Sequence, residues 1–414
     1  MRRIIASLDI GSDTIKLVVG EIFRNKLNIL SALDTPSRGI KKGYIVNSES
    51  AIEALKELFD KAYDTLGIRI SKVIVSVPSY LTECFLSEGV TTITNEDKII
   101  SSKDIIRVLQ GAVYNKINPS NELVTVLPTN YTINDIEIVK DPLNMVGDKL
   151  SAKAVVVTVP KKNVDSIIKS LERIGVETVD IATSPLGDYY EFKNKENEKL
   201  VGAVINIGDE TTTVSIFNRG ILTKCEVIDI GGENIDNDLA YVYKLTKSDA
   251  RILKEILTLA HNRLAEPSEN MTLTNREGDD VKINQYDSSE IVMSRLEEIL
   301  NLCKKQINLL TKKEISYIIF TGGVTESKDF ELVLESVFGD RTTLSHVPEI
   351  GVRDNKYSTC VGLIKYYNSR LKLRNKEFSI FSLEEQEEFS GLSKKVSLSE
   401  NSILGKLFGY FFDN

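Results

Sequence analysis

The segment DIGSDTIK, residues 9–16, places two hydroxyls, two carboxylates, a glycine and a lysine directly behind a short apolar run. A glycine in a tight turn lets backbone N–H groups approach phosphate oxygens, and Ser12 and Thr14 add hydroxyl donors. Lys16 neutralises phosphate charge, Asp13 flanks the turn, and Asp9 is suited to hold magnesium through its waters. An ordinary hairpin with polar turn residues fits the same stretch. Two later segments repeat the logic. NIGDETT, residues 206–212, offers Gly208, Thr211 and Thr212 in a second strand–turn–strand, and YIIFTGG, residues 317–323, ends a strand on Gly322 and Gly323, where a flat purine ring has room against backbone. No G-x-x-x-x-G-K-[ST] occurs and no G-x-G-x-x-G follows a strand, so neither a P-loop nor a Rossmann site is expected.

The elements that must carry these turns are legible as runs of apolar residues ending in Gly or Pro: IIASLDIG, KVIVSVP, AKAVVVTVP, GAVINIG and YIIFTGG. Such runs fit strands buried on both faces. Helical patterns such as SESAIEALKELFDKAYDTLG and NVDSIIKSLERIG alternate with them, which predicts an α/β fold with helices on both sides of a sheet. Residues 7–21 and 202–217 each read as strand, Gly turn, strand, so a duplicated core with a cleft between its halves is expected. At 414 residues the chain exceeds a single core. A net charge of −8 argues against nucleic acid as a partner. The four cysteines, Cys84, Cys225, Cys303 and Cys360, form no Cys-x-x-Cys pair, and with only two histidines no zinc site is expected. No N-terminal signal is read, and no apolar run reaches the roughly 18 residues of a membrane span.

In this order and spacing the three turns resemble those of the actin/Hsp70/sugar-kinase superfamily: two phosphate loops and an adenosine loop. DIGGENIDNDLA adds a likeness to the Gly-Gly-Glu stretch of Hsp70-like members, with Gly232 in the site. Within the superfamily the chain resembles the FtsA family of bacterial cell-division proteins. Residues 83–161 fit that family's inserted α+β module, RLEEI (residues 295–299) its R-x-x-E-[IL] helix motif, and NKYSTCVGL, starting at Asn355, a late degenerate motif. The expected fold is therefore α/β: an actin-like two-lobed fold with a duplicated nucleotide-binding core, the inserted α+β subdomain and a C-terminal amphipathic helix. The expected division gives 1–82, 162–198 and 355–383 to the first lobe and 83–161 to the insertion. It gives 199–231 and 314–354 to the second-lobe core, 232–313 to a helical subdomain, 384–400 to a linker and 401–414 to the terminal helix.

The resemblance implies ATP and magnesium as ligands, head-to-tail self-assembly, and recruitment of later division proteins. It also implies binding of the C-terminal tail of FtsZ through Arg295 and Glu298; an ordinary i,i+3 surface pair is the other reading of those two residues. A PilM-like pilus protein and a small-molecule kinase share the fold and stand as alternatives. Departures matter too. Asn206 replaces the family's leading Asp, and Asp209 and Glu210 replace glycines, which adds repulsion toward phosphate unless both point away. The stretch IATSPL, residues 181–186, where relatives carry a Gln or Glu near the start of the helix before the second phosphate loop, has neither, so brisk hydrolysis is not expected. Lys254 is kept on the ribose-contacting helix, with Arg251 where Glu is common.

The last fourteen residues, NSILGKLFGYFFDN, sweep Ile403, Leu404, Leu407, Phe408, Phe411 and Phe412 into one broad helical arc. Such a helix is expected to lie in the interface of the cytoplasmic membrane, as a peripheral anchor at the division site. Docking into a groove of the body is the alternative. Full burial of its apolar side chains would give roughly 10 kcal/mol. An interfacial helix buries them only in part and is ordered at a cost, so one tail should hold weakly.

Overall fold

The chain is described here by a computed structural model covering residues 3–24, 26–339 and 342–373. Strands β1 (Arg3–Ile10), β2 (Thr14–Phe23) and β3 (Lys26–Pro36) form an antiparallel meander, followed by a small hairpin of β4 (Ile40–Lys41) and β5 (Tyr44–Ile45). Helix α1 (Ser48–Leu66) starts where the Asn47 side chain accepts from two backbone N–H groups, and stops at Gly67, whose φ of 72° a side chain would resist. Strand β6 (Lys72–Val77) then runs parallel to β1.

The next residues leave this sheet and build another. Strand β7 (Glu83–Thr92), helix α2 (Ser102–Val113), β8 (Asn121–Ile133), β9 (Glu137–Val139) and β10 (Lys149–Pro160) give a four-stranded sheet in the order β7-β10-β8-β9. Helix α2 packs on it and closes a small separate core around Ile100, Val108 and Leu150. Helix α3 (Lys162–Arg173) and β11 (Glu177–Thr183) return to the first sheet and complete its order, β11-β6-β1-β2-β3.

Helix α4 (Ser184–Phe192) leads into a second meander, β12 (Val201–Ile207), β13 (Thr212–Asn218) and β14 (Ile221–Ile228). Helices α5 (Gly232–Val242) and α6 (Lys247–Ile256), the hairpin of β15 (Asn270–Thr274) and β16 (Asp280–Asn284), and the long α7 (Gln285–Leu310) follow. Strand β17 (Tyr317–Thr321), helix α8 (Phe330–Phe338) and β18 (Thr342–Leu344) finish the second sheet, β14-β13-β12-β17-β18, and α9 (Ser358–Leu373) returns to pack on β1, β2 and β6. Each of the two five-stranded sheets is thus a three-stranded antiparallel meander extended by two parallel strands. The fold is α/β and duplicated, as the paired strand–turn–strand segments predict.

The chain passes from first lobe to second after α4 and returns before α9, and these two helices cross in backbone contact. A Cβ on Gly187 would lie 2.5 Å from the Thr359 carbonyl oxygen, and one on Gly362 only 1.8 Å from that of Gly187. Beside the crossing, the fully buried Asp188 accepts from Asn206 Nδ2 (2.8 Å) on β12 and from the Ser358 and Thr359 hydroxyls (both 2.8 Å) on α9. Burial pushes its carboxyl up to about 6, against the pull of those three donors. One turn on, Lys365 Nζ sits 3.0 Å from Glu191 on α4 and 2.6 Å from Glu349 in the returning loop. Tyr189 stacks on Phe217 of β13 with ring centroids 4.2 Å apart. The main core runs through this joint without a break, taking in Val204, Phe217 and Ile319 of the second sheet.

Two outcomes are expected. Gly362→Ala forces the helices apart and should destabilise the protein by about 3 kcal/mol in denaturant unfolding; a loss within error would show that the crossing relaxes freely. Asp188 is more easily protonated folded than unfolded, so its contribution is full below about pH 3.9 and is lost as pH rises through 6. The wild type should therefore lose Tm relative to Asp188→Asn between pH 4 and 7, at about 2–4 °C per kcal/mol. A constant difference across that range would refute the assignment.

Candidate functional site

Both meanders turn in the same way. Gly11 N donates to Thr14 O at 3.2 Å between β1 and β2, and Gly208 N donates to Thr211 O at 2.9 Å between β12 and β13. The two turns face each other across a cleft of 600 Å³, a volume in the range of small-molecule sites. Twelve of the sequence-predicted residues line it: Asp9, Gly11, Ser12, Asp13, Thr14, Lys16, Gly208, Thr211, Gly232, Lys254, Gly322 and Gly323. The thirteenth, Thr212, does not. It is buried and its hydroxyl donates to Ile230 O at 2.8 Å, because alternation along β13 turns it inward and presents Thr213 to the cleft instead.

Lys16 stands opposite Asp9 on the paired strands, with Nζ 3.3 Å from Asp9 Oδ2 and from Thr14 O. Burial works against its charge, but Asp9 and Asp13 hold its pKa above the ordinary lysine value. The start of α5 rests on the second turn: Gly232 N donates to Gly208 O at 3.0 Å and Glu233 N to Asp209 O at 2.7 Å. The glycine pair after β17 forms the floor. Gly322 has φ 98°, and a Cβ there would lie 2.4 Å from Ile207 O, whereas Gly323 opens toward the cleft with nothing nearer than Lys356 Cβ at 3.9 Å. Lys254 on α6 reaches Asp236 at 2.6 Å.

The acidic residues of the second turn are each engaged by a donor. Asp209 Oδ1 lies 2.7 Å from Arg251 Nη2, and burial raises its pKa against the pull of that arginine. The Glu210 carboxylate accepts from Lys42 N, across the cleft in the β4–β5 hairpin. Lys42 Nζ and the Tyr80 hydroxyl both reach Asp229, at the end of the second meander. This cross-lobe set went unread in the sequence, where only the paired glycines of RGIKKGY hint at a tight hairpin. Asp188 went unread as well. The carboxylate missing at position 206 sits instead on α4, hydrogen-bonded to the amide that replaces it. Among the described residues no group of three or more His, Cys, Asp or Glu is arranged to hold a metal directly.

A second, smaller groove lies between α5 and α7, lined by Asp238, Tyr241, Val242, Ile291, Ser294, Arg295 and Glu298. Arg295 grips Asp238 with two nitrogens, at 2.6 and 2.8 Å, and also pairs with Glu298. Tyr241 is 87% exposed beside them. Residues 384–400 and the tail residues Ile403, Leu404, Leu407, Phe408, Phe411 and Phe412 lie outside the described residues. No described helix is long and apolar enough to cross a membrane.

Comparison with known proteins agrees with this architecture. A family model described as the SHS2 domain inserted in FtsA matches residues 81–158, and one described as cell division protein FtsA matches residues 203–362. The chain is 29% identical over 379 residues to the cell division protein FtsA of Bacillus subtilis (strain 168), covering 90% of this chain and 86% of that one. It is 28% identical over 375 residues to that of Pseudomonas aeruginosa, covering 88% and 89%. Among solved structures, MreB5 of Spiroplasma citri bound to ADP superposes with TM-score 0.55 at 12% identity, covering 90% of this chain and 99% of that one. A chain of a PilM–PilN type IV pilus biogenesis complex gives 0.57 at 15% identity, covering 87% and 98%. At those identities the structural likeness shows the fold alone, an actin-like one. With two models of one family matching more than half of the sequence, and relatives aligned along most of it, the chain belongs to the FtsA family of cell division proteins.

Proposed function

We propose that this chain is an ATP-binding, self-assembling adaptor that ties FtsZ filaments to the cytoplasmic face of the membrane at the division site. The observation that carries the nucleotide reading is the meeting of the two glycine turns across the cleft, with Lys16 and Lys254 at its walls. Residues of the cleft fit the ligand. Backbone N–H groups at Ser12, Asp13, Asp209 and Glu210 are available to phosphate oxygens. A side chain at Gly322 would collide with Ile207, and Gly323 leaves open surface for a flat base. Asp9, at the inner end of the first turn, is the carboxylate suited to hold magnesium through its waters. Nucleotide-bound relatives of the same fold support this: MreB5 of Spiroplasma citri has been solved with ADP and with AMPPNP.

The α5–α7 groove supports an FtsZ-tail reading. It combines exposed Tyr241 and Val242 with a paired arginine and two carboxylates, a mixture suited to a short amphipathic peptide. Self-assembly would join the inserted module of one copy to the second lobe of the next, and the assembled face would recruit later division proteins. The terminal arc of Ile403 to Phe412 then serves as the membrane contact, and assembly multiplies tails that are weak one by one.

Deleting residues 402–414 should leave a folded protein that no longer sediments with liposomes, while the intact chain sediments more with ATP than without. Undiminished lipid binding by the truncated chain would sink the tail reading; indifference to ATP would sink its coupling to assembly. Reversing the charges at Arg295 and Glu298 should weaken binding of an FtsZ-tail peptide by about tenfold or more, with circular dichroism unchanged. An unaltered affinity would return the pair to an ordinary surface contact.

A further inference from the structure

Arg251 is bound by three carboxylates from three different elements. Its Nε lies 3.1 Å from Asp236 Oδ2 on α5, its Nη2 2.7 Å from Asp209 Oδ1 in the second turn, and its Nη1 2.5 Å from Asp13 Oδ1 in the first turn. Two of these partners belong to its own lobe and the third does not. The Arg251–Asp13 pair thus ties one phosphate-facing turn to the other.

We propose that Arg251 is an exchangeable clamp and phosphate ligand of the cleft: it holds Asp13 while the cleft is empty and passes from Asp13 to a phosphate oxygen when a nucleoside polyphosphate enters. The proposal rests on the nucleotide reading given above and names the residue that senses the ligand's phosphates.

Three features carry it. The first is that the guanidinium is anchored at the end that need not move. Asp236 is fully buried and fixes Nε, and Lys254 shares the same carboxylate at 2.6 Å. The fork is rigid and planar, so anchoring Nε aims both terminal nitrogens into the cleft. The second is that the link to be exchanged is the exposed one. The Asp13 side chain is 44% exposed against 19% for Asp209, so Asp13 regains water when released, at small cost. The third is charge. Asp13 and Asp209 flank turns whose N–H groups face the cleft, and an incoming polyphosphate meets two carboxylates there. Arg251 neutralises one of them and, once Asp13 swings out, offers a freed Nη1 to the ligand, a charge-assisted bond of the stronger class. Burial opposes its charge, but Asp209 and Asp13 hold the guanidinium protonated more firmly than usual, so it stays a cation throughout.

The clamp makes two variants behave oppositely toward nucleotide and alike without it. In the full-length chain, Asp13→Asn removes a competitor for Arg251 and should tighten ATP binding, read by titration calorimetry with magnesium, by about threefold or more. Arg251→Ala removes the ligand and leaves Asp13 and Asp209 uncompensated, and should weaken it by about tenfold or more. Without nucleotide, both should speed amide hydrogen exchange across residues 11–14 and 208–211. Affinity changes of the same sign, or an unchanged affinity in Asp13→Asn, would overturn the exchange. Should Arg251→Ala fail to fold because Asp236 loses a partner, Asp13→Asn decides alone, since it alters a half-exposed side chain. Failure of the wild type to bind ATP would instead remove the nucleotide reading. The exchange rates then judge the clamp separately: faster exchange in both variants upholds the tie between turns, and unchanged exchange refutes it.

Discussion

Asp188 accepts hydrogen bonds from both halves of the molecule inside a site with no access to water, and the cleft walls take their positions from it. Its Oδ2 receives the Asn206 amide near the end of β12, two residues before the Gly208 turn, and its Oδ1 receives the first two hydroxyls of α9. Removing a carboxylate so placed would strand the buried Ser358 and Thr359 hydroxyls, each costly to leave unmet, and the half-buried Asn206 amide. The neighbouring contact of Gly187 with Gly362 admits no side chain between the helices. A hydrogen-bonded charge and a backbone-to-backbone crossing together fix where one sheet begins relative to the other. The two glycine turns are opposed because of that joint.

The polar groups of the cleft follow a consistent arrangement of charge. The acidic side chains of the two turns are engaged by donors: Asp9 by Lys16, Asp209 and Asp13 by Arg251, Glu210 by the Lys42 backbone. Of the substitutions that make the second turn look hostile to phosphate, Asp209 is paired with Arg251 inside its own lobe and Glu210 is tied across to the β4–β5 hairpin. The same acids would be a liability in a chain without Arg251 and without the β4–β5 hairpin.

Much of this was legible in the sequence, and the parts that were not have physical reasons. Strands such as KVIVSV and AVVVTV are apolar on both faces, so their runs survive inspection without any knowledge of partners. The turns at Gly11 and Gly208 are local, and eight of the nine residues assigned from them line the cleft. Thr212 lies outside the cleft because the side-chain alternation of β13 depends on where the strand starts, which a turn motif does not fix. The three-residue strands β9 and β18 are too short to carry a period. The roles of Asp188 and Asp229 and the partner of Glu210 are not legible because the contacts span long stretches of sequence: 18 and 170 residues for Asp188, 168 for Glu210 and 149 for Asp229. Long-range pairing leaves no mark on the local pattern around a residue.

The crossing of α4 and α9 also sets the leverage of the molecule. Both passages of the chain between lobes meet there, and Lys365 fastens the outgoing helix to the incoming loop. Any rotation of one lobe against the other therefore has its fulcrum at Gly187 and Gly362. The inserted sheet rests on the second lobe, where β7, β8 and β10 all touch β14, so a small turn at the fulcrum also slides that sheet against β14.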